Sequence, residues 1–178
     1  MTRSHVIALA LVVSCLLSGR TTQHPLHADP GAAAFAADPA RDIARRLDEL
    51  NPHLTEPQVV RIRAAILRNS EKYSLDPLLV TAVIEVESAA KPWARSPKGA
   101  LGLMQVMPYM VRPMGMAGNP STIEANIEAG CMILAENIRR LGENDGISAY
   151  FWGSDIRGVT YLNRVRAARD RMKREIQS

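Results

Sequence analysis

Residues 76–88 read DPLLVTAVIEVES, and this stretch decides the fold because it joins a complete helix start to an almost unbroken apolar run. Asp76 is a good N-cap residue and Pro77 suits the first helical turn. On a period of 3.6 residues Glu87 shares a face with apolar residues of the same helix, whereas Glu85 points about 200° away. The sequence therefore predicts a buried helix that holds one carboxyl group against aliphatic side chains near its end.

A carboxyl group in such a place is a candidate general acid. Burial disfavours the charged form of Glu87, so its pKa should rise and it can keep a proton to donate near neutral pH. Ser88 follows it directly and is a candidate hydrogen-bond partner for the carboxyl group. From the helix alone, an ordinary surface glutamate in the last turn explains the pattern about equally well.

The residues after this helix form an ordered series of motifs. Glu87-Ser88 is followed by SPKGA at residues 96–100 and GLMQVMP at residues 102–108, then by NI and AG at residues 126–130, and finally by AY and G at residues 149–153. Over roughly residues 42–165 this series resembles the catalytic domain of the soluble lytic transglycosylase family. Several motifs in one order are more specific than a short catalytic pattern alone.

The resemblance implies a lysozyme-like fold and a reaction on peptidoglycan. The expected fold class is all-α, with at most a minor hairpin, and a glycan-binding cleft. The expected enzyme is a peptidoglycan lytic transglycosylase, a carbon–oxygen lyase that cleaves the β-1,4 bond between N-acetylmuramic acid (MurNAc) and N-acetylglucosamine (GlcNAc). The resemblance implies that Glu87 alone acts as acid and then as base, which leaves 1,6-anhydro-MurNAc ends.

The resemblance also assigns the site residues. Gln105 offers amide donors and a carbonyl acceptor to sugar groups, and the hydroxyl of Tyr150 is expected to bond the acid or the substrate. Taken alone, a methionine or a tyrosine is more often an ordinary core residue. The predicted catalytic residue is Glu87, and the predicted substrate-binding or supporting residues are Ser88, Gln105, Met107, Tyr150 and Asn126.

Two other functions stay open at this stage. A lysozyme-like hydrolase would need a second carboxylate, and Asp145 and Asp155 are the candidates adjacent to Tyr150 in the sequence. A non-catalytic glycan-binding or assembly protein is the other alternative. Its best argument is Phe151, because the family usually has asparagine at this position.

The pattern predicts helices joined by short loops. A capping box of Thr55 and Gln58 and a second one at residues 121–124 mark two helix starts. The predicted helices cover residues 42–50, residues 55–73, the stretch that ends at Glu87, a short segment that begins near residues 102–105, a long helix from residue 121 to Leu141, and two final helices that hold Tyr150 and Tyr161.

Composition and charge fit one folded domain. The chain has 178 residues, of which 47% are hydrophobic, and this excludes a chain that is disordered throughout. Its net charge is +4, with arginines crowded in the last helix, where a solvent-exposed face is favoured over a contact with an anionic polymer. Nucleic acid is the least favoured partner. No histidine, cysteine and aspartate cluster has metal-ligand spacing, so neither a metal nor another cofactor is expected.

The N-terminal residues predict export. Residues 6–17 are apolar apart from Ser14, which is the length of a secretory signal and too short to span a bilayer. The predicted organisation is a signal peptide at residues 1–28, an Ala/Pro-rich tether at residues 29–41 and the catalytic domain at residues 42–178. The expected location is the periplasm or cell envelope.

The two cysteines have different expected roles. Cys15 lies in a segment that resembles a lipoprotein signal, and only its lipidation would add a membrane partner; an ordinary signal is favoured. Cys131 is expected in the core of a helix rather than as a nucleophile. The expected partner is the glycan strand of peptidoglycan. The small size of the chain also favours a trans-envelope secretion or conjugation machine as a partner.

Overall fold

The computed structural model describes residues 38–111 and 119–177, which all belong to one compact unit, Ala37–Ser178. The predicted signal peptide, most of the predicted tether and Cys15 lie outside the described residues. The described part contains seven helices and no β-strand longer than an isolated bridge, which confirms the all-α class. The helices are α1 Pro39–Leu50, α2 Glu56–Tyr73, α3 Pro77–Ser88, α4 Pro108–Val111, α5 Ile123–Leu141, α6 Glu143–Trp152 and α7 Thr160–Gln177.

The starts of α2 and α3 follow the local sequence as predicted. The Gln58 side chain reaches back and accepts a hydrogen bond from the Thr55 backbone N–H at 2.9 Å. Oδ1 of Asp76 accepts a hydrogen bond from the Leu78 backbone N–H at 2.8 Å. Each side chain satisfies an N–H group that has no partner within its helix, and this fixes the first turn.

Helix α1 begins earlier than predicted. Asp38 accepts a hydrogen bond from the Ala40 backbone N–H at 3.0 Å, and Pro39 occupies the first turn, where its missing N–H costs nothing. The helix therefore starts three residues before Asp42, and residues 39–41 belong to it rather than to the predicted tether.

Helix α5 has a different cap from the predicted one. Its N-cap is Thr122, whose hydroxyl accepts a hydrogen bond from the Ala125 backbone N–H at 3.4 Å. The expected capping glutamate, Glu124, instead forms two 2.8 Å hydrogen bonds with Arg61 of α2. The capping box predicted at residues 121–124 is therefore wrong, because the helix starts at Ile123 and its third position is Ala125 rather than Glu124.

Helix α3 is the buried centre of the fold. It packs against α1, α2 and α7, and its residues from Leu79 to Ile84 are all buried. Helix α5 packs against α2 and α6, and Cys131 is fully buried within it. Burial raises the pKa of the Cys131 thiol to about 12, which agrees with the predicted core role and leaves no reactive thiolate.

Candidate functional site

Glu87 lies in the last turn of α3, half-buried, and its carboxyl group faces α7. The hydroxyl of Tyr161, from the first turn of α7, donates a 2.6 Å hydrogen bond to Oε1 of Glu87. Tyr161 is only 4% exposed, so the packing of α3 against α7 fixes this contact. Within residues 38–111 and 119–177, no other hydrogen bond reaches the Glu87 carboxyl group.

The environment of Glu87 raises its pKa above the ordinary value for glutamate. Burial is the largest cause, because it penalises the charged form. The hydrogen bond from Tyr161 and the positive charge of Arg164 act in the opposite direction, since both favour the carboxylate. The site therefore favours the protonated acid and also contains two groups that stabilise its anion.

Glu85 faces a different set of partners, as the helical period predicts. Its carboxylate contacts Nη2 of Arg46 in α1 at 2.8 Å and Nη2 of Arg171 in α7 at 2.6 Å. The side chain is 14% exposed, so these two arginines compensate a largely buried charge. Glu85 is a structural ion-pair residue that ties three helices together, so Glu87 is the better candidate acid of the two.

Ser88 does not contact Glu87 in the way the sequence suggested. Its buried hydroxyl donates to the Leu103 carbonyl oxygen at 2.7 Å and lies 3.2 Å from the carbonyl oxygen of Ile84. A serine in a helix commonly bonds the carbonyl four residues earlier, and here that orientation also points it at the following loop. The expected Ser88–Glu87 hydrogen bond is therefore wrong; Ser88 attaches the loop to α3.

The segment at residues 102–105 is a tight turn rather than the start of a helix, contrary to the prediction. Isolated bridges pair Leu101 with Arg95 and with Val106, and the next helix begins only at Pro108. The backbone is left-handed at Gly102, with φ of +74°, and at Gln105, with φ of +49°. Left-handed residues break a right-handed helix, which explains the difference.

Asn126 is the clamp that holds this turn. It is 1% exposed, and its Oδ1 accepts a hydrogen bond from the Met104 backbone N–H at 2.8 Å. Its Nδ2 donates to the carbonyl oxygens of Leu101 at 2.7 Å and Pro120 at 2.9 Å. Because all these bonds go to the backbone, the structure places Asn126 as a support for the loop and not as a group that faces a ligand.

Two glycines let the turn lie directly on α5. A Cβ atom on Gly102 would come within 2.5 Å of Cγ of Asn126, and one on Gly130 would overlap the side chain of Met104. Met104 is fully buried, so it belongs to the core, which is the interpretation the sequence favoured for it. A Cβ atom at either glycine would therefore push the turn and α5 apart.

Gln105 and Met107 lie on the outer part of this turn, and both are half-buried. Nε2 of Gln105 donates to the Gly102 carbonyl oxygen at 2.9 Å and to the Ala94 carbonyl oxygen at 3.3 Å. The amide donors thus hold the loop, and the side-chain carbonyl oxygen is the group left to accept a hydrogen bond from a ligand.

Tyr150 lies in α6, near the acid but bonded to the loop. Its hydroxyl donates to the Met104 carbonyl oxygen at 2.8 Å. Burial raises the pKa of the phenol well above its usual value, and the nearby charge of Glu87 raises it further. Of the two partners predicted for this hydroxyl, the acid or the substrate, the acid is bonded by Tyr161 instead.

The family of the chain follows from a comparison with known domains. The family model described as Transglycosylase SLT domain matches residues 64–167, which is more than half of the chain and includes every motif residue from Glu87 to Gly153. The chain belongs to the SLT transglycosylase domain family. The resemblance noted from the motifs is therefore confirmed.

Several curated relatives match this SLT domain over part of their length. A transglycosylase of Enterobacteria phage PRD1 is 39% identical over 87 residues, which is 48% of this chain and 32% of the relative. The membrane-bound lytic murein transglycosylase C of Photorhabdus laumondii is 32% identical over 97 residues, 49% of this chain and 27% of the relative. The endo-type membrane-bound lytic murein transglycosylase A of Klebsiella pneumoniae is 38% identical over 73 residues, 35% of this chain and 36% of the relative.

The chain thus spans about a third of the length of these relatives. Among solved structures, the lytic transglycosylase Slt from Pseudomonas aeruginosa, crystallised as an inactive mutant, aligns with a TM-score of 0.45 and 25% identity. The alignment covers 65% of this chain and 22% of that one.

The carboxylates considered for a hydrolase do not join Glu87 in this SLT domain. Asp155 is exposed and bonded to Arg157 at 2.6 Å, and Asp145 is exposed at the start of α6. Neither contributes to the pKa of Glu87, whose causes are burial, Tyr161 and Arg164. In the described ranges no three histidine, cysteine or acidic residues are grouped to hold a metal ion.

Two surface cavities lined by described residues contain no competing acid. A cavity of about 490 Å³ lies between α2 and α5 and contains one acidic residue, Glu136, whose pKa is lowered by its hydrogen bond to Arg139. A second cavity of about 310 Å³ lies beside Trp93 and contains no acidic residue. A general acid needs a raised pKa, so Glu87 is the better candidate although neither cavity includes it.

Sequence reasoning missed the part played by Tyr161. Its ring stacks on Phe151 of α6, with centroids 5.0 Å apart and planes 16° apart, while Trp152 meets Phe151 edge-on at 5.0 Å. The sequence predicted only that Tyr161 lies in a final helix, because the approach of α7 to the end of α3 appears only in the folded chain. The hydroxyl that bonds Glu87 therefore belongs to an aromatic cluster formed by Tyr161, Phe151 and Trp152.

Proposed function

We propose that this SLT domain is a peptidoglycan lytic transglycosylase that cleaves the β-1,4 bond between MurNAc and GlcNAc. The observation that carries the proposal is the Glu87 carboxyl group, whose pKa is raised by burial and which accepts a hydrogen bond from Tyr161. Membership of the SLT family supports the choice of peptidoglycan as substrate.

In the first step the protonated Glu87 donates its proton to the glycosidic oxygen. Burial favours the neutral acid, so the proton is available at a pH where an exposed glutamate would have lost it. As the bond breaks, positive charge develops on the MurNAc anomeric carbon, and the N-acetyl group of the substrate helps to stabilise it. Glu87 is left as a carboxylate.

In the second step this carboxylate acts as the base. It removes the proton from the MurNAc 6-hydroxyl, whose oxygen attacks the anomeric carbon and closes the 1,6-anhydro ring. Tyr161 and Arg164 both favour the charged form of Glu87, so they stabilise the carboxylate between the two steps. The proton gained from the 6-hydroxyl restores the acid, and no water is consumed.

A single carboxyl group is enough for this route, and the geometry favours it. Hydrolases that use two carboxylates place the second one close enough to act on the same carbon. In the described part of the chain, no second carboxylate perturbs the pKa of Glu87. Asp145 and Asp155, the candidates from the sequence, are exposed.

The remaining site residues divide into a ligand-facing pair and a supporting set. We assign substrate contacts to the side-chain carbonyl oxygen of Gln105 and to Met107. Ser88, Asn126 and Tyr150 hold the turn through its backbone, so they position Gln105 and Met107 rather than contact sugar.

We also propose that the chain is exported to the periplasm or cell envelope, with residues 1–28 as its signal. No helix in the described ranges is both long enough and apolar enough to cross a bilayer. The expected partner is the glycan strand of peptidoglycan. The expected place of action is a point where a trans-envelope machine needs an opening in the peptidoglycan layer. Cell fractionation and labelling with a fatty acid, applied to the wild type and to Cys15→Ser, test the type of signal. Equal size and location of the two proteins support an ordinary signal. A lipid label that is present on the wild type and lost from Cys15→Ser contradicts an ordinary signal.

The activity is tested by replacing the acid. Glu87→Gln keeps the shape of the side chain and can still accept the Tyr161 hydrogen bond, so the fold and glycan binding should persist. Loss of proton transfer should reduce turnover on purified peptidoglycan by at least about 100-fold. Near-normal turnover by Glu87→Gln would contradict the proposal that Glu87 is the general acid.

Glu85→Gln is the matched control, two residues away in the same helix. It removes the negative charge that pairs with Arg46 and Arg171 and should lower the free energy of unfolding by about 1–3 kcal/mol. Its turnover per folded molecule should stay near wild type. A 100-fold loss of turnover in both variants would mean that the effect is not specific to the acid.

A further inference from the structure

Phe151 has a large apolar ring that is exposed to solvent, and the fold does not require this exposure. The side chain is 56% exposed although it lies in α6 between two other aromatic residues, Tyr161 and Trp152. Leaving such a ring in water forgoes the free energy of burying it. An exposed aromatic ring beside a candidate acid is therefore a candidate contact for a ligand.

The ring of Phe151 is connected to Glu87 through one intermediate residue, Tyr161. One face stacks on Tyr161, with the two planes 16° from parallel, and the hydroxyl of Tyr161 bonds Glu87 at 2.6 Å. The plane of the Trp152 ring is 89° from that of Phe151, with the centroids 5.0 Å apart. Two neighbours thus fix the orientation of the ring and leave it preorganised, which lowers the entropic cost of binding.

The chemistry of the ring selects the ligand class. Phenylalanine has no polar atom, so it favours the apolar C–H face of a sugar over the hydroxyl and N-acetyl groups that lie around the rim of the pyranose. A flat, rigid ring suits a flat pyranose face better than an aliphatic side chain does. Phenylalanine therefore favours stacking on the C–H face of a sugar over a hydrogen bond to its polar groups.

We propose that Phe151 is a stacking platform for an N-acetylhexosamine ring of the glycan, held next to the bond that Glu87 cleaves. This inference rests on the proposed function for the position of the bond, but the stacking itself is a binding property. It makes Phe151 a determinant of glycan affinity in this domain, and Tyr161 then has two roles: hydrogen-bond donor to the acid and support for the platform.

The test measures binding of tetra-N-acetylchitotetraose to Glu87→Gln protein, which cannot turn the ligand over. Adding Phe151→Ala should weaken the affinity about tenfold, because the apolar contact is lost. Phe151→Tyr should restore most of the affinity, and Phe151→Leu should restore less, since it keeps bulk without a planar face. Val60→Ala, which trims an exposed apolar residue of α2, is the matched control and should leave the affinity unchanged.

A merely structural role for Phe151 gives a different result. If the ring only holds Tyr161 in place, Phe151→Ala in protein that retains Glu87 will shift the pH dependence of turnover. The same substitution will leave the affinity for chitotetraose intact. That outcome overturns the inference, as does equal affinity for the alanine and tyrosine variants or no binding to the parent protein.

The two proposals fail separately. If Phe151→Ala releases anhydro fragments with an unchanged KM for peptidoglycan, the platform is wrong and the lyase stands. If the wild type releases no such fragments but loses chitotetraose binding on Phe151→Ala, the platform stands and the lyase is wrong.

Discussion

The hydroxyl of Tyr161 lies 2.6 Å from Oε1 of Glu87, so a residue of α7 controls the acidity of a residue 74 positions earlier in α3. Burial of Glu87 raises its pKa, and the hydrogen bond from Tyr161 partly offsets that rise. The pKa that results depends on how closely the two helices pack. Packing between α3 and α7 is thus coupled to the chemistry of the site.

Tyr161→Phe should raise the pKa of Glu87 further. The hydroxyl favours the carboxylate, and without it the protonated form gains. Because the first step needs the protonated acid, the alkaline limb of the kcat/KM profile should move to higher pH. Turnover should fall about tenfold, since the carboxylate loses a charge-assisted hydrogen bond. A pH–rate profile on purified peptidoglycan measures both effects.

Tyr150→Phe is the control for this shift. Tyr150 donates to the Met104 carbonyl oxygen rather than to the acid, so its removal loosens the turn without removing a hydrogen bond from Glu87. Its alkaline limb should stay near that of the wild type. A profile that moves equally in the two variants would contradict the role given to Tyr161.

Glu87→Gln should be more stable than the wild type at neutral pH. The folded-state pKa of Glu87 is raised, so the folded protein holds this proton more tightly than the unfolded chain does. Stability therefore falls as the pH rises from the ordinary glutamate value through the raised one. Glutamine carries no charge at any pH and escapes this penalty.

The measurement is the melting temperature of the two proteins as a function of pH. The variant should melt higher at pH 7, and the difference should vanish below about pH 4, where Glu87 is protonated in both states. A difference that is constant across the range, or a variant that is less stable at pH 7, would argue against a buried acid with a raised pKa.

Gly102→Ala should be far more harmful than Gly99→Ala. Both glycines have positive φ, +74° and +89°, so alanine costs about 1–2 kcal/mol of backbone strain at either position. At Gly102 the added Cβ also comes within 2.5 Å of Cγ of Asn126, whereas nothing lies within 4 Å at Gly99. Overpacking of this kind costs about 1–3 kcal/mol more.

Urea unfolding of the two variants measures this difference in the free energy of unfolding. Because Asn126 holds the turn that carries Gln105, Gly102→Ala should also reduce activity, and Gly99→Ala should not. Equal losses of stability would show that the close contact between the turn and α5 is relaxed in solution.

Most of the fold could be predicted from local sequence. The helix starts at Thr55 and Asp76 depend on side chains within three residues, and an apolar period of 3.6 marks the buried faces. The prediction failed at residues 102–105, because a tertiary clamp from Asn126 holds that backbone in a turn. A window of neighbouring residues contains no signal for such a contact.

The candidate site shows the same division. Glu87 could be found because a carboxylate interrupts an apolar helix, and the motifs that follow it are distinctive. The partner of the acid could not, since Tyr150 and Tyr161 have the same chemistry and only the packing of α7 decides which hydroxyl reaches Glu87. Ser88 was misplaced for a related reason: the Leu103 carbonyl oxygen competes for its hydroxyl.

The central claim is that Glu87 serves as acid and then as base, with the MurNAc 6-hydroxyl as nucleophile. Mass spectrometry of a peptidoglycan digest made in water labelled with heavy oxygen tests it most directly. A 6-hydroxyl held against the reacting carbon outcompetes bulk water, so fragments should end in 1,6-anhydro-MurNAc and contain no label. Reducing ends that carry the heavy oxygen would contradict the claim and identify a lysozyme-like hydrolase.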